Sequence, residues 1–248
     1  MSRLLYGAIL GDLAGQPYEY KYKGNFSEFN IHDKRSTITD DTIMTLATAA
    51  YLLGKFSSFK QAYQTIGLKY FDDYFGTFFK DWLQGKYKVG TSYGNGCLMR
   101  VSPCIYLSKE CALEQAVQST LCSHQHPKSI IAVMNLMMLY KEAGLRRVAS
   151  KYKAGSHIEY ARNKFMIQAD DTLELINHLY WISNSTHETI EHTVKLGGDT
   201  DTNASIIGEL MNYTFNDLTK EDVEYVESKL DSYLLDILIT FNKKFNNI

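Results

Sequence analysis

The stretch LGGDTDTNASIIGEL, from Leu196 to Leu210, decides how the chain is read. Two glycines lead into Asp199, Thr200, Asp201 and Thr202, and the residues that follow carry apolar side chains at helical spacing. Asp and Thr at such a point start helices. Their oxygens satisfy the free N–H groups of a first turn, and the carboxylates favour the positive end of the helix dipole. One such residue suffices for a cap, whereas here four acceptor-bearing side chains crowd into one turn. Capping and ligand binding both stand as explanations until a second site is found.

Outward from that stretch, helical periodicity dominates. DDTIMTLATAAYLLGKF, beginning at Asp40, places Ile43, Leu46, Ala47, Ala50 and Leu53 on one face. SIIAVMNLMMLYKEAG, from Ser129, and DVEYVESKLDSYLLDILITF, from Asp222, repeat the pattern. Alternating strand patterns are absent, so the expected fold is all-α. The sequence has 248 residues and only three prolines, with no linker-like run and no internal repeat, so a single compact domain over 1–248 is expected.

Composition narrows the function classes. The chain is 45% hydrophobic and 22% charged with a formal net charge of -2, a globular balance without the basic excess of a nucleic-acid binder. No stretch approaches the roughly 20 apolar residues of a membrane helix. The start, MSRLLYGAILGDLAGQ, lacks a signal-peptide cleavage pattern and carries an acid within its apolar run, so a cytoplasmic protein without a membrane partner is expected. Cys97, Cys104, Cys111 and Cys122 show no C-x-x-C spacing and read as buried or partly buried free thiols.

In RLLYGAILGDLAG, Gly7, Gly11 and Gly15 fall four apart. Glycine costs about 1 kcal/mol per helical position, so three on one stripe predict that another helix or backbone approaches very closely there. The exit QPYEY leaves Glu19 on a loop, where a solvated carboxylate is the plain reading.

A second acidic helix mouth stands at STITDDTIMTL, where Thr39 can cap and Asp40 and Asp41 follow in the first turn. The repetition matters. Two separate helices that open on paired aspartates supply the oxygen-only donors that hard divalent cations require. Converging carboxylates need such counter-charge, because a like-charged pair at ~4 Å repels by ~4 kcal/mol at an effective dielectric of 20. Between the two mouths, Tyr87 to Pro103 reads YKVGTSYGNGCLMRVSP. Gly90, Gly94 and Gly96 allow close backbone approach, and Ser92, Tyr93 and Asn95 add hydroxyl, ring and amide, a set suited to phosphate and ribose. In CSHQHP, His124 and His126 stand two apart and so do not share a helix face. A single polar contact fits better than paired metal ligation.

Taken in order, GAILGDLAGQPYEY, TDDTIMTL, SYGNGCLMRVSP, SHQHP and GGDTDTNASIIGEL resemble the ADP-ribosylglycohydrolase family, which includes the dinitrogenase reductase activating enzyme. FGTFFKDWL, from Phe75 to Leu83, resembles the segment before the glycine loop in many bacterial members. The resemblance runs from about Gly7 to Leu210. It implies a compact all-α fold and a two-metal centre, usually magnesium and sometimes manganese, which cleaves the bond at the anomeric carbon of ADP-ribose. By motif, Glu19, Thr39, Asp40 and Asp41 match ligands on one side of that centre, and Asp199, Asp201 and Thr202 match those on the other. Ser92, Tyr93, Gly94, Asn95 and Gly96 fall where relatives hold the diphosphate and distal ribose, and His124 where a histidine meets the ligand. Arg100 and Lys128 read as salt-bridge or surface groups.

The implied chemistry holds the vicinal hydroxyls of the proximal ribose on the cations and delivers water to the anomeric carbon through an oxocarbenium-like transition state. Glu19, Asp41 or Asp199 would accept the water's proton. The partner is then an ADP-ribosylated protein or a small ADP-ribosyl conjugate. Arginine is not selected as the modified residue: a C-F-D-I-G-like stretch typical of the arginine branch is absent, and the C-Q-G segment of many relatives reads MIQADDTLEL, with only Gln168 kept. N- and O-linked ADP-ribose alike stay open, whether on serine, in O-acetyl-ADP-ribose or in another small ADP-ribosyl conjugate. So do a two-metal phosphoesterase, which the acidic pairs alone would also serve, and a silent crystallin-like member, against which every ligand position being filled counts.

Overall fold

The computed structural model describes residues 3–19, 29–71, 74–87, 90–143 and 165–246. Twelve α-helices lie in this part: α1 (Tyr6–Gly15), α2 (Asp40–Leu52), α3 (Phe59–Lys69), α4 (Thr77–Leu83), α5 (Gly96–Met99), α6 (Lys109–Leu121), α7 (Pro127–Ala143), α8 (Ala169–Ile182), α9 (Thr186–Leu196), α10 (Thr200–Phe215), α11 (Lys220–Ser228) and α12 (Ser232–Phe245). Among the described residues there are no strands, only isolated bridges at Thr91 with His124 and at Gly94 with Gln168. The all-α expectation holds. Of the stretches read from sequence, Met1, Ser2, Tyr20, Lys88, Val89 and Gly144 lie outside the described residues. No helix is long and apolar enough to cross a membrane among the residues described.

The centre of the molecule is the pair α1 and α10, both buried along their lengths. They run antiparallel in direct backbone contact, and the glycine stripe is the cause. A Cβ at Gly7 would stand 2.4 Å from Gly208 O, one at Gly11 2.0 Å from Ala204 O, and one at Gly15 2.3 Å from Thr200 O. No side chain fits at these distances. The stripe therefore brings the C-terminal end of α1 to the N-terminal end of α10, and Glu19 to the first turn that carries Asp199 and Asp201. Helix α2 packs on both, and is buried from Asp41 to Ala50 rather than on the single face its periodicity shows.

One correction concerns the last helical stretch. The periodicity from Asp222 to Phe241 suggests one helix, but the chain turns at 229–231 and restarts at Asp231, whose carboxylate accepts from Tyr233 N and Leu234 N. The competing N-cap breaks a pattern whose apolar spacing alone runs straight through.

Candidate functional site

The two acidic helix mouths meet. Thr39 caps α2, its hydroxyl accepting from Asp41 N at 3.2 Å, with Asp40 and Asp41 in the first turn. At α10, Gly197 and Gly198 adopt φ of 76° and 88°, a conformation cheap only for glycine, and swing the chain so that Asp199 and Asp201 enter the helix facing α2. Thr202 Oγ1 donates to Asp41 Oδ2 at 3.1 Å and ties one mouth to the other.

Asp12, Asp41 and Asp201 each place a carboxylate oxygen within 4.8 Å of the others, and Glu19, Asp199 and Asp201 do the same. Asp201 belongs to both groups. Burial, together with Asp12, Asp40 and Asp199, pushes the Asp41 carboxyl well above its usual range. The same happens to Asp201 through burial, then Asp199, Asp41, Glu19 and Asp12. Asp41 Oδ1 and Asp201 Oδ1 are buried with no hydrogen-bond partner among the described residues. Orphaned, like-charged oxygens at one focus fit a hard divalent cation, which would satisfy both deficits at once.

Asp12, in the sequence no more than an acid in an apolar run, is integral to the centre. It sits fully buried on α1 and caps α2 from outside: Oδ2 accepts from Thr39 N (3.0 Å), Thr42 N (3.2 Å) and Thr42 Oγ1, and Oδ1 from Thr39 Oγ1 (2.8 Å). Burial still drives its carboxyl up to about 6, against these bonds from Thr42 and Thr39. With four donors on it, Asp12 reads as the group that positions Thr39 and Asp41 rather than as a primary ligand, although its geometry places it in the first triad. The available signal was a charged residue on a helix otherwise wholly apolar.

Above the carboxylates opens a cavity of about 350 Å³. Glu19, Asp40, Asp199, Asp201 and Thr202 line one side; Ser92, Gly94, Asn95, Gly96 and His124 line the other. Asp41 and Thr39 lie buried below. Tyr93 does not line this cavity; it is 49% exposed, its ring centroid 5.3 Å from that of His126. Asn95 faces the metal side, its amide donating to Asp199 Oδ2 at 2.6 Å, so the glycine loop and the acidic mouth are joined by one bond. The loop is held by backbone pairing, Asn95 N to Ile167 O (2.8 Å), Ala169 N to Tyr93 O (3.0 Å) and Gln125 N to Gly90 O (3.0 Å). Gly90 is required by that pairing: a Cβ there would meet Ser123 O at 2.1 Å. Lys128 pairs with Asp170 at 2.7 Å on the surface, as expected. Arg100 departs from expectation. It is fully buried, and among the described residues no carboxylate pairs with it. Cys111 is exposed, unlike the other three thiols.

Comparison with known proteins settles the relationship. Residues 2–212 match the family described as ADP-ribosylglycohydrolase. The chain belongs to the ADP-ribosylglycohydrolase family. Among curated relatives it is 25% identical to ADP-ribosyl-[dinitrogen reductase] glycohydrolase of Rhodospirillum rubrum, over 84% of this chain and 83% of that one. Among solved structures it resembles an ADP-ribosylglycohydrolase-related protein complex, with a TM-score of 0.72 and 19% identity over 97% of this chain and 96% of the other. As an ADP-ribosylglycohydrolase, the chain falls among hydrolases of ADP-ribosyl glycosidic bonds, and its all-α architecture is that of the family.

Proposed function

We propose that the protein is a divalent-metal-dependent enzyme that hydrolyses the bond at the anomeric carbon of ADP-ribose, releasing intact ADP-ribose from a non-guanidinium conjugate. The observation that carries this reading is the pair of carboxylate triads sharing Asp201 beneath the cavity, with two buried oxygens unpartnered among the described residues. Asp40, Asp41, Asp199, Asp201, Glu19, Thr39 and Thr202 would hold two cations, magnesium or manganese. Such ions, when bound, neutralise the clustered carboxylates and polarise ribose hydroxyls and water.

The protein's own groups supply the rest. Ser92, Gly94 and Gly96 border the volume for the diphosphate and distal ribose, with His124 behind them. Asn95 orients Asp199 through its amide. Glu19, half-buried at the end of a short turn (Gln16–Tyr18) and lining the cavity, is the carboxylate best placed to take the proton from the attacking water, with Asp199 lining the cavity and Asp41 buried below it as ligands of the cations. The linkage is read from what surrounds the cavity. Outside the proposed ligand set, its described lining has no carboxylate to receive a guanidinium; Tyr74, Phe78, Phe165 and Ile167 make that side largely apolar.

The test offers serine- and arginine-linked ADP-ribosyl peptides and O-acetyl-ADP-ribose with magnesium, products identified by mass spectrometry. Intact ADP-ribose from the serine or acetyl substrate, abolished in Asp199→Asn, is the expected outcome. AMP as the primary metal-dependent product points to phosphoester chemistry and sinks the proposal; cleavage confined to the arginine peptide overturns the linkage.

A further inference from the structure

Arg100 follows α5 directly, and its guanidinium is enclosed. It lies 4.3 Å from the Tyr63 ring centroid and 5.7 Å from that of Phe79. Nη2 donates to Ser119 O at 3.1 Å and to Ser123 Oγ at 2.7 Å, while Nε and Nη1 have no partner among the described residues. An enclosed cation without a carboxylate is costly to keep, and ring faces offset only part of that cost. Its surroundings show what it acts upon. Ser123 Oγ lies 2.8 Å from His124 Nδ1, and both Arg100 and His124 border the cavity.

Proton counting fixes the direction of this chain. A guanidinium only donates, so Arg100 occupies one lone pair of Ser123 Oγ. Among the described residues the serine's single proton then has one acceptor in reach, His124 Nδ1. Were Nδ1 protonated, Ser123 would face two donors and its own hydrogen would be buried without an acceptor. The imidazole proton therefore belongs on Nε2. That atom lies 3.5 Å from where a Cβ would stand at Gly96 and 4.0 Å from one at Gly94, both glycines of the cavity wall. Burial and then the Arg100 charge hold His124 well below the ordinary histidine range.

We propose that Arg100, acting through Ser123, locks His124 as a neutral imidazole protonated on Nε2, so that the cavity presents an obligate donor to an oxygen of the substrate's diphosphate. Arg100 and Ser123 are positioning residues, and the acceptor's identity rests on the glycohydrolase reading above. The arrangement selects a ligand that brings lone pairs to this point and disfavours one that brings a hydrogen.

Nitrogen-15 NMR of histidine-labelled, metal-free protein tests the lock. Wild type should show the Nε2–H tautomer of His124 at neutral pH, and Ser123→Ala, a small change in volume, should mix the two tautomers. A wild-type Nδ1–H tautomer or imidazolium, or no change in Ser123→Ala, overturns the proposal. Calorimetry with ADP-ribose and magnesium adds the second arm. His124→Phe should bind on the order of tenfold more weakly, and His124→Gln, which keeps an N–H near the Nε2 position, should recover part of the loss. Equal binding by His124→Phe and wild type overturns the donor role. If wild type itself fails to bind ADP-ribose, the glycohydrolase reading and the diphosphate assignment fall, while the tautomer result is decided separately.

Discussion

Asp201 and Asp222 are both buried aspartates in the first turn of a helix, yet their oxygens meet opposite fates. Asp222, in α11, accepts from Thr219 N (2.6 Å), Thr219 Oγ1 (2.8 Å), His32 Nε2 (2.7 Å) and His187 Nε2 (2.9 Å). Burial would raise its carboxyl, but the bonds from His187, Thr219 and His32 override that and hold it below the usual range. Asp201 is surrounded by other carboxylates and keeps an oxygen unpartnered among the described residues. One local motif thus serves two ends. A satisfied carboxylate secures the fold, and an unsatisfied one stores a demand that a cation can meet.

Asp201→Asn should break the comparison most sharply. Losing the shared ligand removes several kcal/mol of metal-derived stabilisation, which corresponds to a drop in turnover of about a thousandfold or more. The metal-free protein should nevertheless melt at the same temperature or higher, since one of the repelling charges is gone. Parallel turnover and thermal-unfolding measurements check this; a lower melting temperature without metal would mean that Asp201 is structural after all.

Asp222→Ala should do the reverse. It strands two imidazoles and undoes a capping box, a loss of roughly 3 kcal/mol of folding stability. Magnesium affinity of the folded fraction should hold. Denaturant unfolding and calorimetry together decide, and a large fall in metal affinity with stability intact would erase the distinction between the two sites.

Gly11→Ala probes the scaffold between them. A methyl 2.0 Å from Ala204 O forces α1 and α10 apart, and overpacking of this kind costs about 1–3 kcal/mol. Because α1 also carries Asp12 and leads to Glu19, metal affinity should fall alongside the unfolding midpoint. A variant with weakened stability and unaltered metal binding would uncouple the stripe from the site.

The smallest effect is in pH. The bond to Asp222 raises the His187 pKa against the opposing effect of burial. A raised folded value means that His187 stabilises fully below its ordinary pKa of about 6.5, and that this contribution is lost as pH rises through the folded value. Stability should therefore decline modestly across the neutral range, and His187→Gln should flatten the slope. An identical slope in the variant places the titration elsewhere.

Much of this was legible in the sequence because it is local. Paired acids beside Thr39 and in GGDTDT mark helix starts wherever they occur, and the stripe at Gly7, Gly11 and Gly15 announces a close neighbour without saying which. What escaped depends on contacts across the chain. Asp12 gains its role from the N-terminus of α2, Asn95 from Asp199, and Arg100 from two rings and Ser123. No spacing rule encodes those meetings. The break before Asp231 is hidden for another reason: apolar periodicity persists through it, and only the cap betrays it.

The contact of α1 with α10 also has a consequence in time. Its two partners sit near opposite ends of the sequence, and at ~5–20 residues per second a ribosome completes α10 on the order of 10–40 s after α1. Through that interval Asp12, Glu19 and Asp41 exist without Asp199 and Asp201, and the small-residue face of α1 has nothing to close against. Closing so long a loop adds little entropy beyond that of a shorter one, because the cost grows only logarithmically. The delay is therefore set by synthesis rather than by search. The glycine stripe makes the emergence of α10 the event that finishes both the core and the site, so a nascent chain stopped short of Asp199 holds three of the five carboxylates of the two triads and lacks Asp201, which both share.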